Sequence, residues 1–252
     1  MSLPTRWQDL RRFTTARVGL GRVGNGLPTA AHLTFQAAHA AARDAVHAAL
    51  DVSTLQSAFS APDQRVVRSA CKDRATYLVR PDLGRVLADA DRAKLASAPA
   101  LKRIAIVVCD GLSATAVQRH APAVLAHLLP ALEDAGPVVI ATQGRVALGD
   151  DIGCALQASA VAVLIGERPG LTTPDSLGIY LTWAPRPGRT DAERNCISNI
   201  HAEGLASDAA ARKLLWLIAE MRHRRLTGIG LKDEQPLSAD TKPTQTLSAP
   251  PA

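Results

Sequence analysis

Four charged side chains stand where this sequence could grip a large polar ligand. Asp110 follows the apolar run Ile104 to Val108, Arg145 follows Val138 to Ala141, Glu167 follows Ala160 to Ile165, and Arg186 follows Ile179 to Trp183. Glycine flanks the first three, in Asp110-Gly111, Gly144-Arg145 and Gly166-Glu167, and a residue without a Cβ lets backbone come close to a bound group. A carboxylate accepts hydrogen bonds from amides, and a guanidinium offers forked donors to a phosphate. The same residue types also build ordinary networks of loop ion pairs, so types alone leave both readings open.

Self-sufficient catalysis finds no support. The sequence holds no G-x-S-x-G, no Walker loop, no H-E-x-x-H and no Cys–His pair at a motif spacing. Cys71, Cys109, Cys154 and Cys196 lie far apart without a C-x-x-C, and read as separate thiols. Asp150 and Asp151 could bind a hard cation, but adjacent carboxylates at a helix start read as partners of its dipole. His32, His39 and His47 share one helical stripe, yet successive histidines seven or eight residues apart are separated by about 10–12 Å. A single metal, with ligands about 2 Å away, does not span that gap. No catalytic residue and no metal ligand is therefore assigned to this chain. A literal G-x-G-x-x-G at Gly19, Gly21 and Gly24 follows no buried strand and opens no helix, so its glycines are expected to serve an irregular backbone path.

The apolar runs that carry the four residues predict buried strands, and the segments between them predict helices. Ser113 is placed to cap a helix bearing Val117, Val124, Leu125, Leu128 and Leu132, which is expected to stop at Gly136 before Pro137. A short helix is expected from near Asp150 to Gln157, and a last one from about Ser207 to Arg225 with Leu214, Leu217, Ile218 and Met221 inward. This alternation predicts an α/β chain built on a doubly wound, mostly parallel, Rossmann-like sheet. Ligands of such sheets sit beyond the carboxyl ends of the strands, so Asp110, Arg145, Glu167 and Arg186 are expected to share one crevice. Trp7 to Gly26 reads as a basic, glycine-rich arm, and Thr29 as the cap of a long helix reaching about Leu50, with Leu33, Ala37, Ala38, Ala41, Ala45 and Ala49 as its apolar band. Asp51 to Pro62 reads as a connector, Asp91 to Pro99 as a linker, and Asn195 to Ile200 as a loop. The expected organisation is an N-terminal arm and helical region over 1–100, an α/β domain over 101–232, and a disordered Pro-, Ser- and Thr-rich tail over 233–252.

Composition narrows the partners. A net charge of +6 allows a polyanion, but the arginines are scattered and aromatic residues make up 3% of the chain, which argues against stacking on nucleic-acid bases. An acidic protein surface or a phosphate-bearing cofactor accounts for the charge equally well. No apolar run approaches the roughly 20 residues of a membrane span, and Met1 to Leu20 is too polar and arginine-rich for a signal peptide, so a soluble, cytosolic chain is expected.

Several motifs occur together and in order: Leu20-Gly21-Arg22, Leu78-Val79-Arg80-Pro81-Asp82-Leu83-Gly84-Arg85, Asp110-Gly111-Leu112-Ser113, Gly144-Arg145-Val146, Gly166-Glu167-Arg168-Pro169-Gly170-Leu171 and Asn195-Cys196-Ile197-Ser198-Asn199-Ile200. In this set, over roughly Arg11 to Lys232, the chain resembles the small (light) subunit of ethanolamine ammonia-lyase. The resemblance implies a subunit of an adenosylcobalamin-dependent lyase that turns ethanolamine into acetaldehyde and ammonia, with the substrate and catalytic side chains on a large barrel subunit. By matching motifs it implies cobalamin contacts at Val146, Glu167 and Cys196, with the small subunit closing over the corrin at the interface. No D-x-H-x-x-G is present, and Asp44 and His47 come nearest at the wrong spacing, so the cofactor's own base is expected to stay on cobalt (base-on), as in this family. Relatives that work inside bacterial microcompartments carry a longer segment before the stretch equivalent to Arg11 to Arg17. Cytosol is therefore the expected location, with encapsulation as the alternative. A stand-alone α/β module binding a nucleotide or other phosphate ligand in the same crevice is the competing function.

Overall fold

In the computed structural model, which describes residues 9–14, 16–133 and 135–235, the apolar runs form one six-stranded sheet. Its strands are β1 (Gln64–Arg68), β2 (Ile104–Cys109), β3 (Ala135–Thr142), β4 (Ala160–Gly166), β5 (Leu177–Trp183) and β6 (Arg194–Ile200), in the spatial order β1-β3-β2-β4-β5-β6. The pairings β1–β3, β3–β2 and β2–β4 are parallel, and every residue of β2 and β4 is buried. Continuous apolar runs suit central parallel strands covered on both faces. The expected α/β fold with a mostly parallel sheet is the observed one.

Two expectations about the far half of the sheet are corrected. β5 runs antiparallel to β4, with Gly166 opposite Leu177 and Ala160 opposite Trp183, and β6 is a strand where a loop was expected. The physical reason is connection length. Only residues 167–176 join β4 to β5, and a parallel crossover needs a dozen or more residues. The C-terminal end of β5 therefore lies at the opposite edge of the sheet from the ends of β2 and β4. Arg186 goes with it, and does not share their crevice.

Seven α-helices are described: α1 (Thr29–His47), α2 (Val52–Ser57), α3 (Arg74–Val79), α4 (Asp89–Ala96), α5 (Ala114–Leu128), α6 (Leu148–Ala155) and α7 (Ser207–Arg224). One face of the sheet packs on α5 and α7, through Val117, Val124 and Leu125 of the first and Leu214, Leu217, Ile218 and Met221 of the second. The other face packs on Leu148 and Ile152 of α6 and Leu95 of α4. Ser113 caps α5 as expected, its Oγ accepting from the Ala116 amide at 3.2 Å. The helix ends earlier than expected, at Leu128, because a 3-10 turn at Leu129–Ala131 intervenes and Gly136 and Pro137 already belong to β3. A proline there costs one ladder bond, and the register slips between Ile104 and Ile106 at that point.

The N-terminal part differs most from expectation. Asp51 caps α2 inside the presumed connector, its Oδ1 accepting from the Thr54 amide, and α4 occupies the presumed linker. β1, from the same region, joins the sheet beside β3. Pro28, not Thr29, precedes α1, and of that helix only Ala42 and Ala45 are buried. Leu33 of the predicted apolar band is 58% exposed and Phe35 37%. Gly19, Gly21 and Gly24 all take positive φ on an irregular path, as the rejected dinucleotide motif implied. Of the predicted tail, 236–252 lies outside the described residues, as does Trp7. No helix among the described residues is long and apolar enough to cross a membrane.

Candidate functional site

The parallel strands β2, β3 and β4 end side by side, and hydrogen bonds and close glycine contacts pull the backbone beyond them together. Gly111 has φ +55°, and the Leu112 amide donates to the Gly166 carbonyl at 2.9 Å. A Cβ on Gly166 would lie 2.6 Å from the Asp110 carbonyl oxygen and closer still to that of Ser113. A Cβ on Gly144 would meet the Cys109 sulfur and come within 2.6 Å of Leu148. These glycines thus bring strand ends to one another, where the sequence reading had them admit a ligand.

Asp110 belongs to this clamp. It is 2% exposed, and its carboxylate accepts from the Gln143 and Gly144 amides at 2.9 and 3.1 Å, with Arg74 Nη1 at 3.5 Å. Burial lifts its pKa above the ordinary carboxylate range, against the pull of the Gln143 amide and Arg74. Asp110 therefore staples the end of β2 to the β3–α6 turn and presents nothing to solvent. Asp150 and Asp151 do similar work and are more than dipole partners. Asp150 takes both terminal nitrogens of Arg194 on β6 at 2.7 Å, while Asp151 accepts from the Leu87 amide at 2.8 Å and pairs with Arg92 on α4. Together they fix α6, and with it the turn that carries Arg145 and Val146.

The clamp frames an open cleft of about 220 Å³, lined by Leu112, Arg145, Val146, Glu167, Arg168 and Tyr180 among others. Val146 is half-buried and packs on the core beneath α6, offering an apolar wall. Glu167 is positioned by its amide, which donates to the Ser176 carbonyl at 2.9 Å, and by Oε2, which accepts from the Ser176 hydroxyl and from the Asn199 amide at 3.4 Å. Its Oε1 has no donor among the described residues and lies over Gly178, 2.8 Å from where a Cβ would stand. A carboxylate oriented through one oxygen keeps the other for a ligand's donor.

Cys196 sits on β6 directly across from Tyr180, so both side chains share the sheet face that bears the cleft. Toward this edge the face loses its helical cover: Tyr180 is half-buried and Cys196 exposed, whereas Ile179 and Ile197 on the opposite face are buried. Although an edge of the side chain is open to solvent, partial desolvation by its neighbours first, and the Glu167 carboxylate next among the raising influences, lift the Cys196 thiol pKa above its usual value, so the neutral thiol is the favoured form. Val146 and Glu167 thus line one cleft, and Cys196 lies on the neighbouring strand beside its Tyr180 wall. Sequence reasoning missed the tyrosines. The chain has two, Tyr77 and Tyr180, and both line this cleft. Their scarcity was the available signal.

The site fits the group that the resemblance implies, a corrin carrying amides and a phosphate-bearing tail. Leu112, Val146 and Tyr180 supply apolar surface, Glu167 Oε1 supplies a spare acceptor, and Arg145 Nε is a buried donor with no partner.

Comparison with known proteins places the whole chain. Residues 4–232 match the family described as ethanolamine ammonia-lyase light chain. The chain is 53% identical over 249 residues to the ethanolamine ammonia-lyase small subunit of Xanthomonas campestris pv. campestris strain B100, covering 93% of this chain and 92% of that one. It is 54% identical over 250 residues to the protein of the same name from Rhodopseudomonas palustris strain BisA53, covering 96% and 95%. The corresponding Bradyrhizobium diazoefficiens protein is 55% identical over 246 residues, covering 93% and 92%. A match over residues 4–232, which span all six strands, places this chain in the ethanolamine ammonia-lyase light-chain family.

Proposed function

We propose that this chain is the small subunit of an adenosylcobalamin-dependent ethanolamine ammonia-lyase, that it pairs with a large catalytic subunit, and that its cleft forms one wall of the cobalamin site between them. Adenosylcobalamin, when bound, supplies radical initiation by homolysis of its cobalt–carbon bond. This chain's own residues bind and orient. Val146 would offer an apolar wall to the corrin edge, Glu167 Oε1 would accept from a corrin amide, and Cys196, a neutral thiol on the uncovered sheet face, would pack as a small apolar group. Substrate chemistry belongs to the partner. The observation that carries the reading is that Val146 and Glu167, from two different strand ends, line one cleft, with Cys196 paired to its lining residue Tyr180.

The surface for the large subunit lies in the N-terminal region. Leu10, Phe13, Val23, Leu27, Leu33 and Phe35 are exposed there, and no acidic residue occurs from Leu10 to Arg43 while five arginines do. An apolar, basic strip of this kind fits an acidic partner surface with apolar pockets.

The test mixes the purified chain with a large subunit, adds adenosylcobalamin and ethanolamine, and records the visible spectrum. Acetaldehyde and cobalt(II) absorption in the mixture and in neither subunit alone are expected. Cobalamin-independent nucleotide binding by the chain, with no activity in the mixture, would refute the reading. Glu167→Ala is expected to loosen the cofactor about tenfold to a hundredfold, the value of one hydrogen bond to a charged group, while leaving the melting temperature near that of the parent.

A further inference from the structure

Arg145 stands at the seam of two cavities. It lines the cleft described above and also a groove of about 440 Å³ that runs on past Val146 along Arg85, Arg189 and Arg194. Uncharged groups hold it there. Its guanidinium lies over the Tyr77 ring at 4.3 Å, its Nη2 donates to the Tyr77 carbonyl at 3.2 Å, and its backbone amide donates to the Gly84 carbonyl at 2.7 Å. Tyr77 is fully buried, donates its own hydroxyl to the Gly144 carbonyl at 3.2 Å, and carries Arg74 on the same ring at 4.6 Å.

The charges in the groove are unevenly satisfied. Arg189 is paired with Glu193, and Arg194 with Asp150. Asp191, the acidic residue of the lining, is 98% exposed and leans on Arg194 at 3.5 Å. Among the described residues, no carboxylate lies within ion-pair reach of Arg145 or Arg85, and Arg145 Nε is buried without a partner. A guanidinium that is fixed in direction, partly desolvated and left with unused donors favours an oxyanion with several acceptor oxygens.

We infer that Arg145, assisted by Arg85, forms an oxyanion subsite that takes a phosphate ester, distinct from Val146, Glu167 and Cys196. It deepens the corrin reading and rests on it only for the source of the ester. That source is either the phosphodiester in the tail of the corrinoid seated in the adjoining cleft or a free phosphate ligand.

The test uses Arg145→Gln and Arg85→Gln in the full chain reconstituted with its large subunit. Equilibrium dialysis measures the affinity for adenosylcobalamin and for adenosylcobinamide, which lacks the nucleotide tail and its phosphate. Arg145→Gln is expected to loosen cobalamin about tenfold or more, equal to about 1.4 kcal/mol, while changing cobinamide less than about twofold. Arg85→Gln, at an exposed position, acts in the same direction with a smaller effect, and it keeps the inference testable if Arg145→Gln disturbs the Tyr77 stack. In a second arm, inorganic phosphate is titrated calorimetrically onto the full chain. Phosphate binding that both variants weaken, without discrimination between the corrinoids, assigns the subsite to a free phosphate. No discrimination and no arginine-dependent phosphate binding overturns the subsite. If the parent complex binds neither corrinoid, the corrin reading fails, and the phosphate arm still decides the subsite.

Discussion

The Gly166-Glu167-Arg168-Pro169-Gly170 turn contains two glycines with opposite prospects. Neither takes a left-handed φ, so conformational strain does not distinguish them. Space does. A Cβ on Gly166 would stand 2.6 Å from the Asp110 carbonyl oxygen, 2.7 Å from the Ser113 carbonyl carbon and nearer still to the Ser113 oxygen, all of them backbone. A Cβ on Gly170 would come no closer than 3.4 Å, to the Thr173 carbonyl oxygen. Restoring ordinary contact in Gly166→Ala requires the β2–α5 turn to retreat by roughly 1 Å, an overpacking cost of about 1–3 kcal/mol. The retreat also breaks the bond from the Leu112 amide to the Gly166 carbonyl, worth about 1 kcal/mol. The total, about 2–4 kcal/mol, lowers the melting temperature by about 5–15 °C for a chain of this size. Gly170→Ala should stay within about 0.5 kcal/mol of the parent. Thermal unfolding followed by circular dichroism reads both. Equal losses in the two variants, or a Gly166→Ala protein as stable as the parent, would refute the argument that close backbone packing holds the cleft mouth.

Other consequences are open to direct measurement. Asp150→Ala should cost about 3–5 kcal/mol by stranding Arg194, since the two side chains are 1% and 3% exposed; adding Arg194→Met should recover part of it, and additive losses in urea unfolding would contradict a coupled pair. Glu193, bonded to the Thr190 amide and to Arg189, has its pKa held down at about 2. Its contribution is present above the unfolded carboxyl's value near 4.5 and is lost as pH falls toward 2. The melting temperature of Glu193→Gln should therefore vary less over that window than the parent's, and an unchanged profile would count against the capping role. In the folded chain a thiol reagent at pH 8 should reach Cys154 and Cys196 but not the buried Cys71 and Cys109. Cys196, with its raised pKa, should react more slowly than an unperturbed thiol and be protected in the complex with cobalamin and the large subunit.

Much of the central sheet was legible because β2 and β4 are unbroken apolar runs and Ser113 is an unambiguous helix cap. Glu167 and Val146 were legible as strand-end residues, and the family match to G-E-R-P-G and G-R-V singled them out from the other charged ends. Arg186 was misplaced because strand periodicity carries no direction. The short link from Glu167 to Ser176 was the clue that β5 must turn back. Asp110 was misread because a carboxylate after a strand looks alike whether it meets a ligand or the amides of the next turn. The exposure of Leu33 and Phe35 was illegible for a different reason: an alanine-rich amphipathic helix looks the same whether its apolar side meets its own chain or another.

Local sequence thus determined the central strands, the Ser113-capped helix and the family to which they belong, since these depend on residue type and near-neighbour spacing. Tertiary structure decided which charges face a ligand and which face one another. Asp110, Asp150 and Asp151 found backbone amides and arginines far away in the chain, and Arg145 found an aromatic ring without a carboxylate. Whether a buried charge is satisfied depends on what the fold brings within about 3 Å of it, and no spacing along the chain contains that distance.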